Sequence, residues 1–343
     1  MQVHRTWVFT FALMTSLFTS GFVPMNSHAA TLDDVKARGS LNCGVNQGLQ
    51  GFAKKDGGTW KGFDVDFCRA VAAAIFGDDS KVTYMPLSAD ERFGALQNGK
   101  IDLLSRNSTW TLSREVKLGL TFVGVSYYDG QGFMLPRSAD ILSSLELKGK
   151  KVCVLDGTTS KDNIPEYFIA NNMPHEVLAV KTSEEAIAAY DKAQCDVITS
   201  DISQLYAWRL QLSQPDEHII LPDTISKEPL GPVVRADDPA WATTIKWVLF
   251  SLINAEEHGI TSDRMDKALT SDKPDVMRFV GKDGNLGADL GLANDWTVQM
   301  VRRVGNYGEI FNRNLGTGSP LGIVRGLNQL WNRGGVLYAP PYR

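Results

Sequence analysis

Short apolar runs alternate along the chain with segments whose apolar residues return at helical spacing. LNCGVN (41–46) reads as a buried strand. In GFDVDFCRAVAAAIFG (62–77), Phe63, Phe67, Val71 and Ile75 recur every fourth residue, which predicts a helix with Asp64 as its N-cap and Asp66 in its first turn. KVTYMPL (81–87) is the next strand, ADERFGALQNG (89–99) a helix stopped by Gly99, and KIDLLSR (100–106) a third strand. The same grammar restarts with strand GKKVCVLDG (149–157), helix TSEEAIAAYDKAQ (182–194) and strand CDVITSD (195–201). In both stretches a helix end is followed by an aspartate, Asp102 or Asp196, and then a buried strand. Two similar α/β lobes are therefore expected. FMLPRSAD (133–140) and the Pro-rich LPDTISKEPLGPVV (221–234) read as the two crossings between them. They divide the chain into a first lobe of 31–134 and 226–343 and a second lobe of 135–225. Closure about such a pair of crossings around a ligand is the mechanical consequence. Near the C-terminus Trp296, Met300, Val304, Tyr307 and Phe311 share one helical face, so the last sixty residues (284–343) should pack on the first lobe.

The N-terminus adds a compartment. Arg5, an apolar run from Trp7 to Pro24 and small residues at Ser27, Ala29 and Ala30 read as a secretory signal peptide (1–30) cleaved near Ala30. Lys+Arg total 35 against 39 Asp+Glu, a net charge of -4, so the positive excess that phosphate binding relies on is missing and no nucleic-acid partner is expected. Cys43 and Cys68 fall in one compact region and Cys153 and Cys195 in another; an exported chain would pair them within each region, the alternative being four reduced, buried thiols. No CxxC or Cys/His cluster supports a metal site.

Catalytic motifs are lacking. GALQNGKI (94–101) has the glycine spacing of a phosphate loop, but Ile101 replaces its hydroxyl residue and the glycines bracket a helix end. Only His175, His218 and His258 remain after signal removal, none in HExxH, and there is no GxSxG elbow. Asn107-Ser108-Thr109 matches a glycosylation sequon, a pattern frequent by chance.

What remains suits a small zwitterion. Arg114, after the strand KIDLLSR, matches a planar carboxylate with two parallel charged hydrogen bonds. Gly157, Thr158 and Thr159 offer a second surface for the same group, and Asp201, at the C-terminal edge of its strand, faces the crevice where open α/β sheets bind ligands. Each has a plainer reading: a solvated arginine, a turn with a helix cap, and a cap for the helix ISQLYAWRLQL (202–212). Phe52 and Trp60 are aromatics that would flank a ligand, with core packing as the competing role for Trp60.

GFDVDFCRAVAAAI (62–75), KIDLLSRNSTWTLSR, LKGKKVCVLDGTTS and CDVITSD together resemble the periplasmic polar amino-acid-binding family, bacterial solute-binding family 3, from Leu32 to about Leu269. The resemblance implies the two-lobed periplasmic binding protein fold (type II) with two crossings, here followed by a C-terminal helical extension. It implies no enzymatic activity, catalytic residue, cofactor or metal. By position Arg114 corresponds to the arginine that grips the ligand α-carboxylate, Thr159 to the hydroxyl donor of the second lobe and Asp201 to the acceptor of the α-ammonium. Asn107 and Thr109 stand at polar ligand contacts and Leu87 at a first-lobe contact. Leu49 stands where many relatives carry a stacking aromatic. Arg106 replaces a small hydroxyl residue and would either favour acidic ligands or point outward. The ending is similar to that of the general L-amino-acid-binding subfamily serving Aap/Bzt-type ABC transporters, which implies broad L-amino-acid specificity, membrane permease subunits as partners and a monomeric receptor. The competing class is a periplasmic enzyme on the same fold, such as a dehydratase of a carboxylated substrate, with Asp156 as a candidate acid or base.

Overall fold

The computed structural model describes residues 1, 2, 4 and 30–343; the expected signal segment lies outside the described residues apart from Met1, Gln2, His4 and Ala30. The strands run in chain order β1 (Leu41–Asn46), β2 (Lys54–Asp56), β3 (Thr59–Lys61), β4 (Val82–Leu87), β5 (Leu103–Leu104), β6 (Leu120–Phe122), β7 (Tyr127–Asp129) and β8 (Gln131–Pro136). They continue with β9 (Lys151–Leu155), β10 (Glu176–Val180), β11 (Val197–Asp201), β12 (His218–Ile220), β13 (Glu228–Leu230) and β14 (Val233–Arg235). One five-stranded sheet has the order β4-β1-β5-β14-β6 and a second the order β10-β9-β11-β8-β12. Each has a parallel centre and an antiparallel return, β14 in the first and β8 in the second.

The repeated aspartates have the same structural role in both halves. Asp102 accepts the Asn42 amide at 2.8 Å, tying the loop before β5 to β1, and Asp196 accepts the Lys151 amide at 2.7 Å, tying the loop before β11 to β9. In each half a carboxylate satisfies a strand-end N–H that the ladder leaves over. Cys43 and Cys68 join β1 to the helix Phe63–Phe76, and Cys153 and Cys195 join β9 to the residues leading into β11.

Two expectations need correction. The helix Phe63–Phe76 is entered through Gly62 at φ 140, where a Cβ would collide with the Phe52 carbonyl, so glycine is demanded there. Asp64 lies two residues past the N-cap, Gly62; its carboxylate instead takes the Asn107 amide at 2.9 Å and the Ser105 hydroxyl at 3.2 Å. Residues 133–136 of the expected first crossing belong to β8, a strand of the second sheet paired with β11 and β12. The outward crossing falls earlier, in β7, which pairs antiparallel with β13 on the return. The all-apolar run in β8 is thus the signature of a buried strand rather than of a connector.

The C-terminal residues form helices Trp296–Val304 and Tyr307–Asn314, broken at Gly305 where Asn306 and Glu309 make a capping box. The first packs along Phe63–Phe76, and Asp66 of that helix accepts from Arg313 and Asn314 of the second. Further on, the Asn328 carboxamide accepts the Tyr128 amide at 2.7 Å and donates to the Tyr128 carbonyl at 3.0 Å, covering the edge of β7 opposite Pro229.

Candidate functional site

The site lies where β1, β5, β9 and β11 end, between the two sheets. After β5 the chain turns sharply through Asn107, which sits at φ 28, a left-handed conformation that asparagine tolerates better than most side chains. Asp64 holds its amide, and its own side chain accepts from Asn46 at 3.0 Å and donates to Gln204 at 3.2 Å, across the lobes. Thr111 caps the helix Leu112–Leu118 and thereby fixes Arg114, whose guanidinium donates to the Thr109 carbonyl at 2.8 Å and stacks 5.1 Å from the Phe93 ring centre. Burial pulls the Arg114 guanidinium down, and the facing carboxylates of Asp201, Glu228 and Asp162 pull it back up.

From the second lobe Thr159 opens the helix Thr159–Ala170. Its hydroxyl donates to Glu228 at 2.8 Å, and the Thr109 hydroxyl donates to the same oxygen at 2.7 Å. Glu228 is 1% exposed and also accepts from Asn163 at 2.9 Å and Ser226 at 2.6 Å. It stands on β13, so the return crossing itself supplies the acceptor at the centre of the site. Asp201 occupies the N-cap position of the helix Ile202–Arg209, yet its side chain makes no capping bond. At 7% exposure, burial and then the neighbouring carboxylates Asp129 and Glu228 hold it well above the usual carboxylate range, against the pull of Arg114 and Arg92. Asp129, on β7, accepts the Gly130 and Ser203 amides, and burial raises it to about 6.

Two charge groups therefore share one cleft. The carboxylates Asp129, Asp201 and Glu228 gather at the crossing and the strand end of the second lobe. Arg92, Arg106 and Arg114 gather on the first. Arg106 turns inward, its Nε donating to the Leu87 carbonyl at 2.9 Å, so Leu87 orients a cation through its backbone while its side chain packs with Leu96 and Ile101. Phe52 is placed differently: 1% exposed, it packs edge-on against Phe63 and Tyr127 in the core. Leu49, Ser88 and Arg106 from the first lobe and Leu155 and Trp208 from the second line a narrow recess with room for about 20 Å³. Asp156, outside this arrangement, pairs with Lys161 and Lys181, whose hydrogen bonds hold its carboxyl well below the usual range.

The lobes touch around the site. Besides the Asn107–Gln204 bond, Arg92 reaches the Gly157 carbonyl at 3.4 Å, and Lys181 lies 3.9 Å from Asp90. Gly157, at φ 71, abuts Asp90 so closely that a side chain there would strike it.

Sequence reasoning passed over Arg92, Asp129, Gln204 and Glu228. Arg92 reads as one polar position of a surface helix. Glu228 is the one carboxylate in a Pro-rich apolar passage, SKEPLGPVV, and that contrast was the available signal.

Comparison with known proteins fits this architecture. The chain is 55% identical over 318 residues to the general L-amino acid-binding periplasmic protein AapJ of Rhizobium johnstonii, covering 92% of this chain and 93% of the relative. It is 45% identical over 334 residues to the glutamate/glutamine/aspartate/asparagine-binding protein BztA of Rhodobacter capsulatus, covering 97% and 99%. A solved periplasmic binding protein from Brucella ovis with glutathione bound superposes with a TM-score of 0.91 at 54% identity, over 92% of this chain and all of that one. With residues 41–264 matching its family model and relatives of this similarity along nearly the whole length, the chain belongs to the bacterial extracellular solute-binding proteins, family 3.

Proposed function

We propose that this chain is the periplasmic receptor of an amino-acid ABC transporter, which closes its lobes on the charged α-groups of an L-amino acid and presents it to the membrane permease. What supports the reading most is that Arg114 and Asp201, from different lobes, act on each other's charge with no ion pair between them. Buried charges without partners are costly, and a zwitterion supplies both counter-charges at once. Arg114 clamps the α-carboxylate with two parallel hydrogen bonds, helped by the hydroxyls of Thr109 and Thr159. Asp201, with Asp129 behind it, takes the α-ammonium. Asn107 carries a polar contact and closes onto Gln204. Leu87 acts by holding Arg106. Phe52 supports the site from within the core and is left out of the ligand contacts.

The names of the relatives support a broad choice of L-amino acid. Glutathione, bound in the Brucella protein, carries the same α-carboxylate and α-ammonium at its γ-glutamyl end. In this reading the signal segment is removed near Ala30 and the mature receptor works as a monomer. A general acid or base at Asp156 is disfavoured because a carboxyl locked between two lysines does not exchange protons near neutral pH.

Intrinsic tryptophan fluorescence, titrated with the common L-amino acids, tests the reading. Wild type should bind several with dissociation constants around micromolar, about -8 kcal/mol. The matching amines without the carboxylate should fail. Arg114→Ala should lose capture, and binding by that variant within about twofold of wild type would refute the clamp.

A further inference from the structure

We propose that the cleft holds a second anion subsite, built on Arg106, that takes a carboxylate at the far end of the ligand. Two sources fit that chemistry: the side-chain carboxylate of an acidic amino acid, or the terminal carboxylate of a γ-glutamyl peptide. The inference rests on the amino-acid reading above, in which Arg114 is engaged by the α-carboxylate.

Arg106 is 6% exposed, and of its five N–H donors the Nε is engaged by the Leu87 carbonyl at 2.9 Å. Among the described residues no carboxylate forms an ion pair with it; Asp64, the acid that most stabilises its charge, is occupied by Ser105 and Asn107. Arg92 is 2% exposed, gives one Nη to the Ala89 carbonyl at 2.8 Å and the other to Gly157 at 3.4 Å, and its buried Nε has no hydrogen-bond partner. The two guanidiniums also repel each other and Arg114. Burial brings Arg106 down to about 10, still charged at neutral pH, so the strain is relieved by an anion and not by loss of a proton.

Arg106 lines the narrow recess between the lobes, which the ligand end would enter as the lobes part. Leu49, Leu155 and Trp208 give it an apolar side suited to a methylene stem, while Ser88, Lys181 and Glu184 add polar groups of both charges. With Arg114 serving the ligand head, a buried, unpaired cation further along the same cleft selects ligands that are anionic at both ends. Arg92, buried and outside the lining of the recess, adds its positive charge to that of Arg106.

Calorimetry on the full mature chain at neutral pH, with L-glutamate, L-glutamine and glutathione as probes, tests this. Arg106→Gln should weaken binding of glutamate, of glutathione or of both roughly thirtyfold or more, while glutamine stays within about threefold. Whichever anionic ligand falls identifies the source of the carboxylate. Arg106→Lys keeps the charge without the fork and should lie between the two; it reads the same ratios should Arg106→Gln fail to fold. Unchanged glutamate-to-glutamine and glutathione-to-glutamine ratios, or an equal loss for all three ligands, would overturn the subsite while leaving the zwitterion reading intact. Failure of wild type to bind any of the three would overturn both.

Discussion

The hydroxyls of Thr109 and Thr159, contributed by different lobes, stand 3.4 Å apart and donate to the same oxygen of Glu228. A hydroxyl has one proton to give, so each is offered either to Glu228 or to a ligand carboxylate. The crossing strand thus competes with the ligand for the donors that join the lobes.

Glu228→Ala should expose this directly. Four donors, from Thr109, Thr159, Asn163 and Ser226, lose their acceptor in a buried place. The ligand-free protein should lose about 3 kcal/mol in denaturant unfolding, with a larger radius of gyration in solution scattering as the lobes part. An unchanged unfolding midpoint would show that those bonds have little weight.

Asp201→Asn should separate stability from function. Its carboxyl is held well above the usual range, so at neutral pH the ionised form opposes folding. A neutral isostere should raise the melting temperature of the ligand-free protein while weakening amino-acid binding roughly thirtyfold or more. A variant both less stable and equally competent would contradict the assignment.

The pH dependence follows from the same groups. Burial raises Asp129 and Asp64 to about 6 from 3.8, so the folded chain binds more protons than the unfolded one between those values. Stability contributed by these carboxyls is present below the lower value and declines as pH rises through the upper one. A ligand ammonium beside Asp201 and Asp129 reverses this by favouring their ionised forms. Binding should therefore release protons between about pH 5 and pH 7, measured by calorimetry in buffers of different ionisation enthalpy. Binding with no proton release near pH 6 would remove the ammonium from this pair.

Asn328→Ala removes both bonds to the backbone of Tyr128. Hydrogen exchange of the Tyr128 amide should accelerate, with a stability loss of about 1 kcal/mol. Asn328→Asp keeps the acceptor but not the donor and should protect that amide better than alanine does. Equal exchange in all three proteins would mean that β13 alone holds β7.

Much of this was legible in the sequence because it was written locally. The four-residue recurrence of Phe63, Phe67, Val71 and Ile75 fixed a helix, and the paired motifs around Asp102 and Asp196 marked two halves built alike. Arg114 and Asp201 stood at strand ends, where an α/β sheet exposes its ligand contacts. What escaped depended on distant partners. Nothing near Arg92 announces that it will be buried against Gly157, and Glu228 becomes central only when β13 returns beside β7. Asp64 looked like a cap because its immediate neighbours suit one; a glycine demanded by the Phe52 carbonyl took that position instead.

The clasp between Asn328 and Tyr128 joins residues 200 positions apart in the chain. It imposes an order of assembly: β7 and β13 can meet as soon as residue 230 is in place, but the outer edge of β7 waits for almost the last residues to fold back. A chain clipped just before Asn328 would keep both sheets and the helices Trp296–Val304 and Tyr307–Asn314 but leave this joint unfinished, so integrity at the far end is felt where the lobes connect.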